Sequence, residues 1–274
     1  MKKALHSKII SILLCLFLIT GTLSFVLTMK GSLIDIIPSG DNDTDVSDTT
    51  VEGTPETPSN SIDYSSLKYV AFGDSITASY AREEKIASYA DEVAKILGCK
   101  LLNEGAAGST LAYYSERKCI ANDVLEIAKT YPRFDIISVS GGSNDKVWVL
   151  PLGTIDDTTI DTIYGSLNVI AKTLTETYPD AFIFFITPIK NRYSEYINHA
   201  GYNLADISEA IKDVGEKYHI PVLDLYETSQ FETAENGMNN ENCDGTHPLK
   251  EFVSEYIGPQ VANFVKDNYK QNQN

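Results

Sequence analysis

Apolar and polar positions follow three regimes along this chain. Residues 9–29 form an uncharged run of mostly apolar side chains. Residues 31–66 carry few large apolar residues and many acids, threonines and prolines. From residue 67 onward, short apolar runs alternate with longer stretches whose apolar residues recur every three to four positions. Those are the patterns of buried strands and amphipathic helices. Strands are expected at 69–72, 100–103, 135–139, 181–186 and 221–225. Helices are expected near 84–97, 121–130, 158–177, 202–218 and 251–266. In the third of these, Ile160, Ile163, Leu167, Ile170 and Leu174 would share one face. Strands alternating with helices imply a parallel sheet covered on both sides, a three-layer α/β/α domain of flavodoxin-like form with about five strands. Ligands of such sheets sit beyond the carboxyl ends of the strands. No internal repeat is present.

The first two regimes divide the chain into a segment at 1–30, an acidic linker at 31–66 and a globular domain at 67–274. Lys2, Lys3 and Lys8 precede the apolar run. Roughly 20 apolar residues span a bilayer as a helix, and flanking lysines hold their side in the cytoplasm. Gly21, Thr22 and Ser24 make only a weak small-x-small cleavage site. An uncleaved anchor is therefore expected, with a cleaved signal peptide as the alternative. Leu14 before Cys15 argues against a lipoprotein cysteine. The linker includes Asp41, Asp43 and Asp45 and then Pro55 and Pro58, too little apolar surface to fold. It would hold the domain away from the membrane.

Charge narrows the partners. The formal net charge is −16, with +4 on residues 1–30, −8 on residues 31–66 and −12 on the rest. An acidic domain repels phosphate backbones and anionic membrane surfaces, so nucleic acid is not an expected partner and membrane contact is expected only through the anchor. Besides Cys15, the chain has Cys99, Cys119 and Cys243. Export permits disulfides, but three cysteines cannot all pair within one chain. Without a C-x-x-C, a redox or zinc reading has no support. Cys243 is expected to be a small half-buried residue or half of a bridge rather than a nucleophile.

Four short segments carry polar chemistry. Gly73-Asp74-Ser75-Ile76-Thr77 follows the first strand, and Asn103-Glu104-Gly105-Ala106-Ala107-Gly108-Ser109-Thr110 overlaps the end of the second. Gly142-Ser143-Asn144-Asp145 follows the third strand, and Asp244-Gly245-Thr246-His247-Pro248 precedes the last helix. Each alone reads as ordinary loop punctuation or a helix cap. Together, at strand ends, they supply what ester cleavage needs. A serine hydroxyl is a weak nucleophile that requires a base, usually histidine, oriented by a carboxylate. Asp244 and His247, three residues apart, could both be carried toward Ser75 by one short loop.

In this order the segments resemble the named blocks of the SGNH hydrolases, a subgroup of the GDSL esterases and lipases, over roughly residues 67–270. The resemblance implies Ser75 as nucleophile, Asp244 and His247 as its partners, and an oxyanion hole from the Ser75 and Gly108 amides and the Asn144 side chain. Ile76 stands where the family name implies leucine, an exchange of one apolar packing residue for another. A serine esterase acting through an acyl-enzyme follows, with no metal or other cofactor. The absence of G-x-S-x-G, P-loop and H-E-x-x-H patterns agrees with that. Short-acyl esters of carbohydrates are the expected substrates, with lipid or lysophospholipid esters as runner-up. Rival readings are a non-catalytic carbohydrate-binding or scaffold module and an extracellular acyltransferase.

Other residues carry weaker expectations. Trp148, Tyr193 and His199 are candidate substrate contacts, with loop packing the alternative for Trp148 and for Tyr113, Tyr114 and Tyr193. Asp74 is expected to serve loop hydrogen bonds, Asp145 to cap the segment after the third strand, and His219 to be a surface residue. His6 would lie in the cytoplasmic tail.

Overall fold

The computed structural model describes residues 62–78 and 87–269. The expected anchor, residues 31–61 of the expected linker, Cys15 and His6 lie outside the described residues. Among those described, no helix is long and apolar enough to cross a membrane.

Five strands form one parallel sheet: β1 (Lys68–Gly73), β2 (Lys100–Gly105), β3 (Ile136–Ser140), β4 (Phe182–Ile186) and β5 (Val222–Leu223), in the order β2-β1-β3-β4-β5. Side chains alternate across it, as a period of two requires. Tyr69, Ala71, Ile136, Phe182 and Phe184 face one apolar cluster, and Val70, Phe72, Ile137, Val139, Ile183 and Phe185 face the other. Helices α1 (Tyr89–Leu97) and, at the chain's end, α7 (Gly258–Asn268) cover the first face. The second is covered by α2 (Ile120–Thr130), α4 (Ile163–Thr177) and α5 (Leu204–Tyr218). Leu167, Ile170 and Leu174 of α4 are fully buried there. Truncating one of them to alanine costs about 2–5 kcal/mol through lost transfer energy and the cavity left behind.

Element boundaries moved where side chains compete with the helix. The third helix begins at Ile163 rather than at 158, because Asp157 accepts hydrogen bonds from the Thr154 amide and hydroxyl and from the Thr162 hydroxyl. Those bonds tie 154–162 into a loop, while Thr162 caps the helix by accepting from the Gly165 amide. Likewise Asn203 and Asp206 form a capping box that starts α5 at Leu204. β5 is only two residues long. Pro221 has no amide to give to the ladder, and Asp224 caps the short helix α6 (Leu225–Thr228). Residues 62–66 were expected to belong to a solvated linker. Instead Tyr64–Ser66 forms a 3-10 turn capped by Asp63, and Ile62 and Tyr64 pack on the core.

The order of the strands positions the site. β1 lies between β2 and β3, so successive crossovers leave it in opposite directions and open a crevice at the carboxyl ends of β1 and β3. The serine segment follows β1, and the short helix α3 (Ser143–Val147) follows β3.

Candidate active site

β1 ends at Gly73, and residues 74–78 fold into one tight turn closed by the Ala78 amide on the Asp74 carbonyl. A side chain at Gly73 would lie 2.0 Å from Thr77 Oγ1 and 2.7 Å from the Ser140 carbonyl, so only glycine lets the turn fold back onto the sheet. Asp74 is buried and accepts from the Ile76 amide at 3.0 Å. Burial pushes its carboxyl up, with the Ile76 amide opposing. It serves the loop. A second brace comes from β2: the Asn103 side chain donates to the Thr77 carbonyl at 2.8 Å and to Ser88 Oγ at 3.1 Å.

This turn presents Ser75 Oγ to His247 Nε2 at 2.9 Å. On the other side of the ring, His247 Nδ1 meets Asp244 Oδ2 at 2.7 Å. The remaining oxygen, Asp244 Oδ1, accepts the Thr246 and His247 amides at 2.8 and 2.7 Å. Partial burial works against the Asp244 charge, but these two amides and the imidazole outweigh it and hold the carboxyl below its ordinary value. The loop itself is fastened by Arg192, whose amide donates to the Gly245 carbonyl and whose guanidinium donates to the Met238 carbonyl. Cys243 donates to the His247 carbonyl through Sγ at 3.3 Å and accepts from the Gly245 amide. Burial pushes its thiol up, away from the nucleophilic thiolate. Cys99, Cys119 and Cys243 are all free thiols, so the bridge alternative for Cys243 is overturned.

The third and second segments meet beside the serine. Asn144 Nδ2 donates to the Ser109 carbonyl at 2.9 Å, which leaves one of its two N–H groups for the cleft that it lines. Gly108 has φ +81°, a left-handed conformation that suits glycine, and a side chain there would press on Arg117. Among the described residues, the Ser75 and Gly108 amides donate to no protein acceptor. Asp145 does not cap the segment as expected. Gly142 stands at the cap position, and Asp145 is fully buried within α3, where its two oxygens accept the Leu111 and Ala112 amides at 2.9 Å each. Burial raises its carboxyl to about 7, against the pull of those amides.

Ser75, Ile76, Ser143, Asn144, Lys146, Val147, Asn191, Tyr193 and His247 line most of a cleft of about 120 Å³. A shallower depression of about 340 Å³ adjoins it, sharing Lys146, Val147 and Tyr193 and adding Tyr196, Asn198 and His199. Of the three candidate contacts, Tyr193 thus borders the cleft beside Ser75, and His199 lies only in the adjoining depression. Trp148 lines neither. It stacks on Tyr114 at 5.5 Å between ring centroids, with the Arg117 guanidinium 4.6 Å from its ring. His219 stands at the end of α5 in a left-handed conformation, outside the site. Sequence reasoning missed Asn103 as a brace and Lys146 as a wall. The first was visible as the opening residue of its segment; no local signal marked the second. No group of acidic, histidine or cysteine side chains suited to hold a metal occurs among the described residues.

Such an arrangement can move a proton from a serine hydroxyl to an imidazole while amide donors receive negative charge nearby. Residues 71–251 match the GDSL-like Lipase/Acylhydrolase family. No curated protein matches the chain. Among solved structures, it resembles a Lactobacillus plantarum protein (25% identity, TM-score 0.62, 74% of this chain and 98% of that one). It also resembles a possible lipase from Chitinophaga pinensis (23%, TM-score 0.58, 73% and 98%) and the M. smegmatis aryl esterase (17%, TM-score 0.52, 74% and 99%). The likeness to the last two is one of fold.

Proposed function

Because this chain belongs to the GDSL-like lipase/acylhydrolase family, enzymes that hydrolyse ester bonds, we propose that it is a serine esterase cleaving short-acyl, chiefly acetyl, esters of carbohydrates outside the cytoplasm. The continuous Ser75–His247–Asp244 relay, at 2.9 and 2.7 Å, carries this reading. Ser75 Oγ attacks the ester carbon while His247 Nε2 takes its proton, and Asp244 keeps the imidazole in the tautomer that leaves Nε2 open. The carbonyl oxygen becomes an oxyanion received by the Ser75 and Gly108 amides and the free N–H of Asn144. When the intermediate collapses, His247 returns the proton to the departing alcohol and an acyl-serine remains. Water then attacks the acyl carbon, giving its proton to His247, and the carboxylic acid and the serine are released.

Size favours a small acyl group. The cleft at the triad holds about 120 Å³, less than the cavity of about 150 Å³ that accommodates benzene in a protein core. A carbohydrate alcohol fits the surroundings, since Tyr193 and Tyr196 are exposed beside the cleft at 57% and 61% and can offer ring faces to a sugar. Export rests on Lys2, Lys3 and Lys8 before the uncharged run at 9–29. Hydrolysis of p-nitrophenyl esters should be fastest at acetate and fall steadily with chain length. A rate that climbs toward twelve carbons would replace the carbohydrate ester by a lipid ester. Fractionation tests location: the protein should sediment with membranes, whereas a free protein with a new N-terminus near residues 25–32 would make the segment a cleaved signal.

A further inference from the structure

Lys146 is the one lysine or arginine among the described residues lining the catalytic cleft, and the triad makes no use of it. The residue is only 7% exposed. Its ammonium donates to the Tyr193 carbonyl and lies 5.5 Å from the centre of the Tyr196 ring. No carboxylate of the described residues comes within ion-pairing distance. Glu195, on the same loop, pairs with Lys190 at 3.4 Å instead. Burial accordingly pulls the ammonium below its ordinary value, with Glu195 only partly opposing.

Such a charge is expensive where it stands. An ammonium has three donors, and here one carbonyl and one ring face answer them. Methionine would fill the same wall without desolvating a charge, and a neutral donor could hold the Tyr193 carbonyl. The position of the lysine suggests what the charge receives. It belongs to the wall shared by the catalytic cleft and the adjoining depression, where the part of an ester leading away from the acyl carbon would lie. A second cation stands near the same end of α3: Arg117, over Trp148 and against Gly108, has no carboxylate partner among the described residues. On a chain of net charge −16, an anionic substrate would be repelled unless cations at the mouth reversed the local field.

We propose that Lys146 makes this enzyme selective for esters whose alcohol carries an anionic group, the carboxylate or phosphate of an acidic sugar, which its ammonium receives beside the Tyr193–Tyr196 loop. The inference rests on the esterase reading above and narrows its substrate. Its test compares kcat/KM on O-acetylated galacturonate oligosaccharides, an O-acetylated sugar phosphate and neutral O-acetylated xylo-oligosaccharides. Hydrolysis of p-nitrophenyl acetate serves as the measure of ester chemistry itself. Wild type should prefer at least one anionic substrate, and which one separates carboxylate from phosphate. In Lys146→Met the anionic-to-neutral ratio should fall about tenfold or more, through KM, while Lys146→Arg keeps most of it. Raising salt from about 20 to about 500 mM should shrink the wild-type preference. Wild type also answers without any variant: deacetylated galacturonate oligomers or the free sugar phosphate should inhibit p-nitrophenyl acetate hydrolysis more strongly than xylo-oligomers. Equal inhibition by all three, or an unchanged ratio in a folded Lys146→Met, would overturn the role of Lys146 and leave the esterase standing. A wild type inert toward p-nitrophenyl acetate and toward every acetylated glycan would overturn both.

Discussion

Asn144 and Asp244 serve the same serine in unlike surroundings, the first lining the cleft beside it and the second acting through His247. Asn144 belongs to α3, a helical turn fastened through the buried Asp145 to the Leu111 and Ala112 amides, and its own amide is tied to the Ser109 carbonyl. Asp244 sits on a loop with its side chain 56% exposed, and the His247 side chain is 24% exposed. The two sides have different tasks. A donor for an oxyanion works by being in place before charge develops, so rigidity and dryness add to its effect. A base has to turn over protons with an alcohol and then with water, which an exposed loop allows. Asp145 does for one half what Asp244 Oδ1 does for the other: each carboxylate gathers two backbone amides, one in the core and one in solvent.

Ser75→Ala and His247→Ala should each lower kcat by roughly 10⁵–10⁶-fold, and the double variant should be no worse than either, because the pair acts as one unit. Their melting temperatures should stay near wild type, as both side chains end at the cleft. Asp244→Asn comes next, with a loss of up to about 10⁴-fold if tautomer control dominates and less if water can orient the exposed imidazole. On the rigid side, Asn144→Ala removes one oxyanion donor and should cost about 100–1000-fold in kcat with KM little changed. A large rise in KM instead would mean that Asn144 binds the ground state.

Asp145 and Asp244 should also differ in what they contribute to stability. Asp145→Ala leaves two buried amides unpaired, each worth about 1–3 kcal/mol, whereas truncating the exposed Asp244 should move the melting temperature far less. Its titration carries a sign that can be checked. The folded carboxyl stands at about 7 against an ordinary 3.8, so between those values the folded protein keeps a proton that the unfolded chain has released. The corresponding stability is fully present below about 3.8 and is lost as pH rises through about 7. Replacing Asp145 by asparagine removes the titration. Melting curves should therefore show wild type losing ground to Asp145→Asn as pH rises across that window; a constant gap would mean that the carboxyl does not titrate there. Smallest of all, lengthening the acyl group from acetyl to butyryl should reduce kcat/KM only a few-fold, with a steeper fall for longer chains that outgrow the cleft.

What could be read from the chain follows from how far apart the partners lie. The segments that build the proposed site were legible because each is local. Gly73 and Gly108 mark backbone that no other residue suits, and Asp244 and His247 meet across a single turn. Strand positions were legible for the same reason, since unbroken apolar runs such as 182–186 can only be buried. The missed features depend on distant residues. Asp145 meets an amide 34 positions earlier, and Lys146 meets a carbonyl 47 positions later. Beside Asn144, the first looks like a helix cap and the second like an ordinary surface charge. Trp148 illustrates the same limit, since its neighbours Tyr114 and Arg117 come from the loop after β2.

Covalent labelling tests whether Ser75 is a nucleophile made reactive by His247. A fluorophosphonate probe, followed by peptide mass spectrometry, should modify wild type at Ser75 alone and in proportion to lost activity. Ser75→Ala should stay unlabelled, and His247→Ala should label far more slowly. Label on another residue with activity lost, or full esterase activity in a folded, unlabelled Ser75→Ala, would mean that Ser75 is not the nucleophile.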